Sequence, residues 1–120
     1  LDVGLDFVKQ LKPYTYKWDK RSKYGDKTAD DYDLNDQTPD GTHKEDWLDV
    51  GFKAQEVEAL EKAAGYDKAN KTNLAVTMSE DGKQYGMKYE KLIPILTKAI
   101  QEQQAIIESL TTRITALEGE

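Results

Sequence analysis

Residues 89–120 read YEKLIPILTKAIQEQQAIIESLTTRITALEGE, and their apolar spacing decides the architecture. Ile93, Leu96, Ile100, Gln103, Ile107, Leu110, Ile114 and Leu117 follow one another at steps of 3, 4, 3, 4, 3, 4 and 3. That is a heptad seam, with Ile at every a position and Leu at every d position except Gln103. Pro94 falls within the opening turn, where a missing amide hydrogen costs least. At ~1.5 Å per residue the seam runs roughly 37 Å, more than one small domain can cover along its whole length. A helix folded back on its own body is the competing arrangement; the length of the seam favours self-association. Ile at a with Leu at d suits two strands, whereas Gln103 at a d position is better solvated by partner amides in three or more. Arg113 at g and Glu118 at the following e position form a weak pair between parallel neighbours. The pattern therefore predicts a parallel oligomer and leaves two and three strands open.

The rest of the chain has to fold around that helix with limited means. It has 120 residues, and 17 Lys and Arg against 23 Asp and Glu give a net charge of −6. This length allows one domain with one modest core. An acidic chain without a basic stripe argues against a nucleic-acid partner. No apolar run approaches the length of a membrane span, so no membrane partner is expected. Without cysteine there is no disulfide framework, zinc–thiolate site or thiol nucleophile. His43 is the only histidine, and Ser22, Ser79 and Ser109 are the only serines, which leaves little for a catalytic triad. The chain opens on Leu1 without an initiator Met and reads as a piece released or cut from something longer.

Working outward from the seam, NLAVTMSEDGKQYGMKY alternates about Glu80-Asp81-Gly82-Lys83, the strongest hairpin signal present. Met78 and Met87 read as gap-filling core. KAQEVEALEKAAG predicts a helix of about ten residues, ended by Gly65 as a left-handed cap. Its buried stripe is Ala54, Val57 and Leu60 or Ala64, with Glu58, Glu61 and Lys62 facing solvent. Before it, WLDVGF gives a strand-like approach through Trp47, Leu48, Val50 and Phe52, and Gly51 marks a bulge or a close backbone approach. At the start, Leu5, Val8 and Leu11 suit a short amphipathic helix that Pro13 ends. YTYKW then alternates with Tyr14, Tyr16 and Trp18 on one face, a half-buried strand.

Residues 19–46 break this order with a polar, Asp-rich excursion punctuated by Gly25, Pro39 and Gly41. A loop this long is either a functional excursion or disordered. Asp31, Asp33 and Asn35 imitate the opening of a calcium loop. However, Asp36 stands where the turn glycine belongs and Thr42 where the bidentate Glu belongs, so the loop reads as a solvated acidic surface. No metal site, cofactor or catalytic residue is assigned. A glycan hydrolase using Asp30 and Asp36 has no rigid elements to hold the two carboxylates. The fold class expected is α+β: a small mixed body over 1–89 with the excursion at 19–46, then a coiled-coil helix over 90–120.

Three stretches together carry a resemblance: GLDFVKQLKPYTYKW, DVGFKAQEVEAL and YGMKYEKLIPILTKAIQEQQ. Their order and spacing resemble the C-terminal intramolecular chaperone domain of phage tail spikes, tail fibres and neck appendages, also classed as peptidase family S74. The motif positions here are Gly51, Phe52, Ala54, Gln55, Glu56 and Val57. The resemblance implies a homotrimer that aligns three copies of an upstream fibre or spike, its client, and then cuts itself off. It implies action in the infected host cytoplasm during virion assembly, followed by release from the mature particle. A parallel coiled coil is physically suited to this task, because intertwined β-structures have high contact order and closing three chains in register is slow. Self-cleavage in that family needs a Ser followed by Asp, with a Lys nearby that could activate the hydroxyl. Here Ser22 precedes Lys23, Ser79 precedes Glu80 and Ser109 precedes Leu110, so this chain should be catalytically silent. Trp18, Phe52 and the pair Gln55-Glu56 are candidates for shaping the body and meeting the client, with Trp18 and Phe52 more plainly read as core. The alternative is a permanent oligomerising or receptor-binding tip.

Overall fold

A computed structural model describes residues 1–119. In chain order it contains α1 (Leu5–Gln10), β1 (Tyr14–Tyr16), β2 (Asp49–Gly51), α2 (Ala54–Ala63), β3 (Val76–Met78), β4 (Tyr85–Met87) and α3 (Leu92–Glu118). Short 3-10 turns at Arg21–Lys23, Leu34–Asp36, Lys68–Asn70 and Tyr89–Lys91 fill the connections. The class is α+β, with short elements in the body and one helix of 27 residues. The chain measures 79 × 36 × 19 Å, with a radius of gyration of 20.7 Å. A compact chain of this length would give about 14 Å. The excess comes from α3, whose residues from Gln101 onward are all exposed as far as they are described.

The two sheets are two-stranded and antiparallel. β1 pairs with β2, with Tyr14 opposite Gly51 and Tyr16 opposite Asp49. β3 pairs with β4 across the hairpin turn, where Gly82 takes φ +73°. α2 ends as its sequence demands. Gly65 at φ +93° lets the Tyr66 amide reach Glu61 O at 2.9 Å and its own amide reach Lys62 O at 3.0 Å. These two bonds are the Schellman pair.

The core is small. Val3, Phe7, Val57, Ala75, Val76, Leu92 and Ile95 form one buried cluster, with Leu11, Phe52, Ala54, Leu60 and Met87 packed partly against it. α1 turns Phe7 inward, while Leu5, Val8 and Leu11 are only half-buried, so the face that seats this short helix centres one step from the expected stripe. The opening turns of α3 supply Leu92 and Ile95, and Ala99 is buried beside them.

Three sequence expectations change. Glu61 does not face solvent with Glu58 and Lys62; it is 2% exposed. Its carboxylate accepts from the amides of Leu74 at 2.7 Å, Ala75 at 3.2 Å and Val76 at 3.1 Å. Those amides enter β3 without a partner strand, and a buried donor needs an acceptor; the carboxylate supplies two oxygens where no backbone could reach. Second, Trp18 is not plain core: it is half-exposed and meets Tyr16 edge-on at 5.3 Å between ring centroids. Third, the strand-like approach through Trp47, Leu48, Val50 and Phe52 shrinks to β2 at Asp49–Gly51, and Trp47, Leu48 and Val50 are exposed.

The excursion at 19–46 is tied down by polar contacts. The Asp19 carboxylate accepts from the Tyr24 hydroxyl and from the Gly41 amide at 2.8 Å. The Glu45 amide donates to Trp18 O at 2.8 Å, closing the base of the loop, and Lys20 pairs with the Glu45 carboxylate at 3.1 Å. Of the calcium-like residues, Asp33 caps the Asn35 amide at 2.9 Å, and the Asn35 side chain accepts from Arg21 and Gln84. Among the described residues no cluster of three or more His, Cys, Asp or Glu could hold a metal ion. No described helix is long and apolar enough to cross a membrane.

Candidate functional site

α3 carries two apolar stripes, and only one belongs to the body. With Ile93 taken as an a position, Leu92 and Ala99 fall at g and Ile95 at c, and all three are buried. The a and d positions run along a separate face, centred roughly 100° around the helix. There Ile93 is 62% and Ile100 65% exposed, while Ile95 two residues away is 2% exposed. Leu96, Gln103, Ile107, Leu110, Ile114 and Leu117 are exposed as well. Among the described residues fifteen large apolar side chains are exposed, and eight of them lie on α3. A contiguous apolar stripe of this kind on an otherwise polar surface marks an interaction face.

The sequence motif around Gly51 has a different role: it seats α2 against the sheet. A Cβ on Gly51 would stand 2.6 Å from Tyr89 Oη and 3.2 Å from Tyr16 Oη, so the backbone passes where no side chain fits. The Phe52 amide donates to Tyr89 Oη at 3.4 Å, and the two rings stack at 6.1 Å. Ala54 opens α2 half-buried, Val57 is fully in the core, and Gln55 is exposed. Glu56 is half-buried and accepts from the Tyr14 hydroxyl at 3.0 Å; this bond to a carboxylate raises the Tyr14 pKa above its usual 10.0. Beside these residues Tyr14, Tyr16, Trp18, Phe52, Tyr85, Met87 and Tyr89 border an aromatic groove of about 690 Å³.

Glu58, on α2, gathers three donors. Lys68 Nζ lies 2.6 Å and Lys62 Nζ 3.6 Å from its carboxylate, and the Tyr85 hydroxyl donates at 3.0 Å. The Lys68 bond is the main cause of a Glu58 pKa below its usual 4.5. Through the Tyr85 hydroxyl this group fastens α2 to β4 at the edge of the aromatic groove.

The sequence profile of the family described as "Chaperone of endosialidase" (Peptidase S74) matches residues 1–69, more than half of the chain. The chain belongs to this family. The match covers α1, the β1–β2 pair with its excursion, and the whole of α2. No curated protein and no solved structure matches the chain.

Sequence reasoning passed over Leu92, Ile95 and Ala99, although they repeat at 3 and 4 just as the seam does. The signal was present: LIPIL is apolar on two faces, and a helix that must both anchor in a body and associate needs both.

Proposed function

We propose that the chain is an intramolecular chaperone that trimerises through a parallel coiled coil of α3. The three copies hold an upstream phage fibre or spike segment in register while it folds. The observation that carries this is the division of α3: Leu92, Ile95 and Ala99 are buried in the body, whereas the a/d seam is left exposed. A stripe of Ile and Leu kept in water along a long helix is costly unless copies cover it, and each well-buried side chain contributes about 1.5–3 kcal/mol. Parallel stems bring three preceding segments to one end at high local concentration, which lowers the entropy cost of closing an intertwined fold. Assembly takes place in the infected host cytoplasm. The self-cleavage that releases the chaperone lies upstream of Leu1, since none of the three serines here precedes an aspartate.

The test is the precursor carrying its own fibre segment, refolded with either the intact seam or Ile100→Asp combined with Ile107→Asp. The intact seam should give soluble trimeric fibre and the variant aggregate. Soluble trimeric fibre from the variant would sink the proposal. Orientation is read separately by single cysteines, which the chain otherwise lacks. Ile100→Cys should cross-link to its own copy; selective cross-linking of Ile100→Cys to Ile114→Cys would mean antiparallel helices.

A further inference from the structure

The first five residues are strapped to α3 on the side away from the seam. Lys98 Nζ donates to Leu1 O at 2.7 Å, and Glu102 Oε1 accepts from the Leu5 amide at 3.4 Å. Between these two bonds Val3 is buried and Gly4 lies flat on the helix. A Cβ on Gly4 would meet Lys98 Cγ at 3.1 Å and overlap the Glu102 carboxylate. With Ile93 at a, Lys98 is at f and Glu102 at c, and Lys98 points almost directly away from the a/d face. Lys98 and Glu102 also lie 3.9 Å apart, so they act as one clamp.

We infer that Lys98 and Glu102 are positioning residues for the client: they fix the chain that precedes Leu1 to the outer face of the trimeric stem, at one level on all three copies. This rests on the proposed trimer and adds how register passes from stem to client. A parallel coil sets the helices at equal height, but height reaches the client only if each preceding chain leaves from a fixed point on its helix. The strap supplies that point within one residue of the chain's start. With helices and packed segments each spaced at 8–10 Å, the three exit points stand about 25 Å apart. Client strands therefore begin apart, around the stem, and converge as they wind together.

The experiment is pulsed electron–electron distance measurement on Leu1→Cys carrying a spin label, in the full chain. Leu1 is exposed, and no other cysteine is present. The expected result is one narrow inter-copy distance, consistent with about 25 Å between backbones plus two label arms. Adding Lys98→Met with Glu102→Gln, or separately Gly4→Leu, should abolish the narrow peak while the oligomer mass stays the same. A broad distribution from the parent oligomer, or a narrow peak that survives both variants, overturns the strap and leaves the trimer standing. Absence of any inter-copy coupling overturns the trimer and the strap with it.

Discussion

The Glu61 carboxylate lies 2.7 Å from the Leu74 amide, and it also holds the amides of Ala75 and Val76, so one acidic side chain joins α2 to the start of β3. It is the only buried charged residue found among the described residues. Replacing it with Ala leaves the buried Ala75 and Val76 amides and the half-buried Leu74 amide without their acceptor. At 1–3 kcal/mol for a buried unsatisfied group, Glu61→Ala should cost at least about 2 kcal/mol. Glu61→Gln keeps one acceptor oxygen and should cost less. Urea unfolding at fixed protomer concentration checks the order; equal losses for Ala and Gln would contradict it.

The two stripes of α3 should separate cleanly by mutation. Ile95→Ala opens a cavity in the body core and should destabilise it by about 2–5 kcal/mol. Ile100 is exposed in the protomer, so Ile100→Asp should dissociate the oligomer and leave the near-ultraviolet circular dichroism of the body unchanged. Loss of the body signal in Ile100→Asp would mean that the seam packs on the body after all.

Much of this was legible beforehand. The long helix α3, the Glu80–Lys83 hairpin and Gly65 ending α2 are local signals, carried by spacing or by a required backbone angle, and each appears in the fold. Glu61 was not legible, because on a helical wheel it sits beside Glu58 and Lys62 like any surface acid. Its burial depends on residues 74–76 arriving from elsewhere in the chain. Trp18 misled for a related reason: a large aromatic suggests a core, but Trp18 lies just past the end of β1 in a two-stranded sheet and stays half-exposed. The clamp of Lys98 and Glu102 joins residues 97 apart in sequence and leaves no local trace.

Gly51→Ala should destabilise the body by about 1–3 kcal/mol, because the new methyl group meets the Tyr89 and Tyr16 hydroxyls. Tyr89→Phe removes the nearer of the two oxygens. In a double-mutant cycle, Tyr89→Phe should therefore recover part of the Gly51→Ala loss, and strict additivity would contradict the contact.

Acid should loosen α2 from the hairpin. The Glu58 pKa is depressed below 4.5 in the folded chain, chiefly by Lys68. Its contribution is thus present above pH 4.5 and lost as pH falls through the lower folded value. The same pair raises the Lys68 pKa above 10.5, so at the alkaline end the contribution fades as pH rises through that raised value. Glu58→Gln should flatten stability against pH below 4.5; an acid limb as steep as the parent's would assign it to other carboxylates.

The central claim is that three copies associate through the free face of α3. Sedimentation equilibrium across a concentration series tests it most directly. The account predicts a species of three times the 13.6 kDa protomer mass that persists on dilution. A monomer at every concentration would contradict it, and a clean dimer would keep the heptads while overturning the trimeric chaperone.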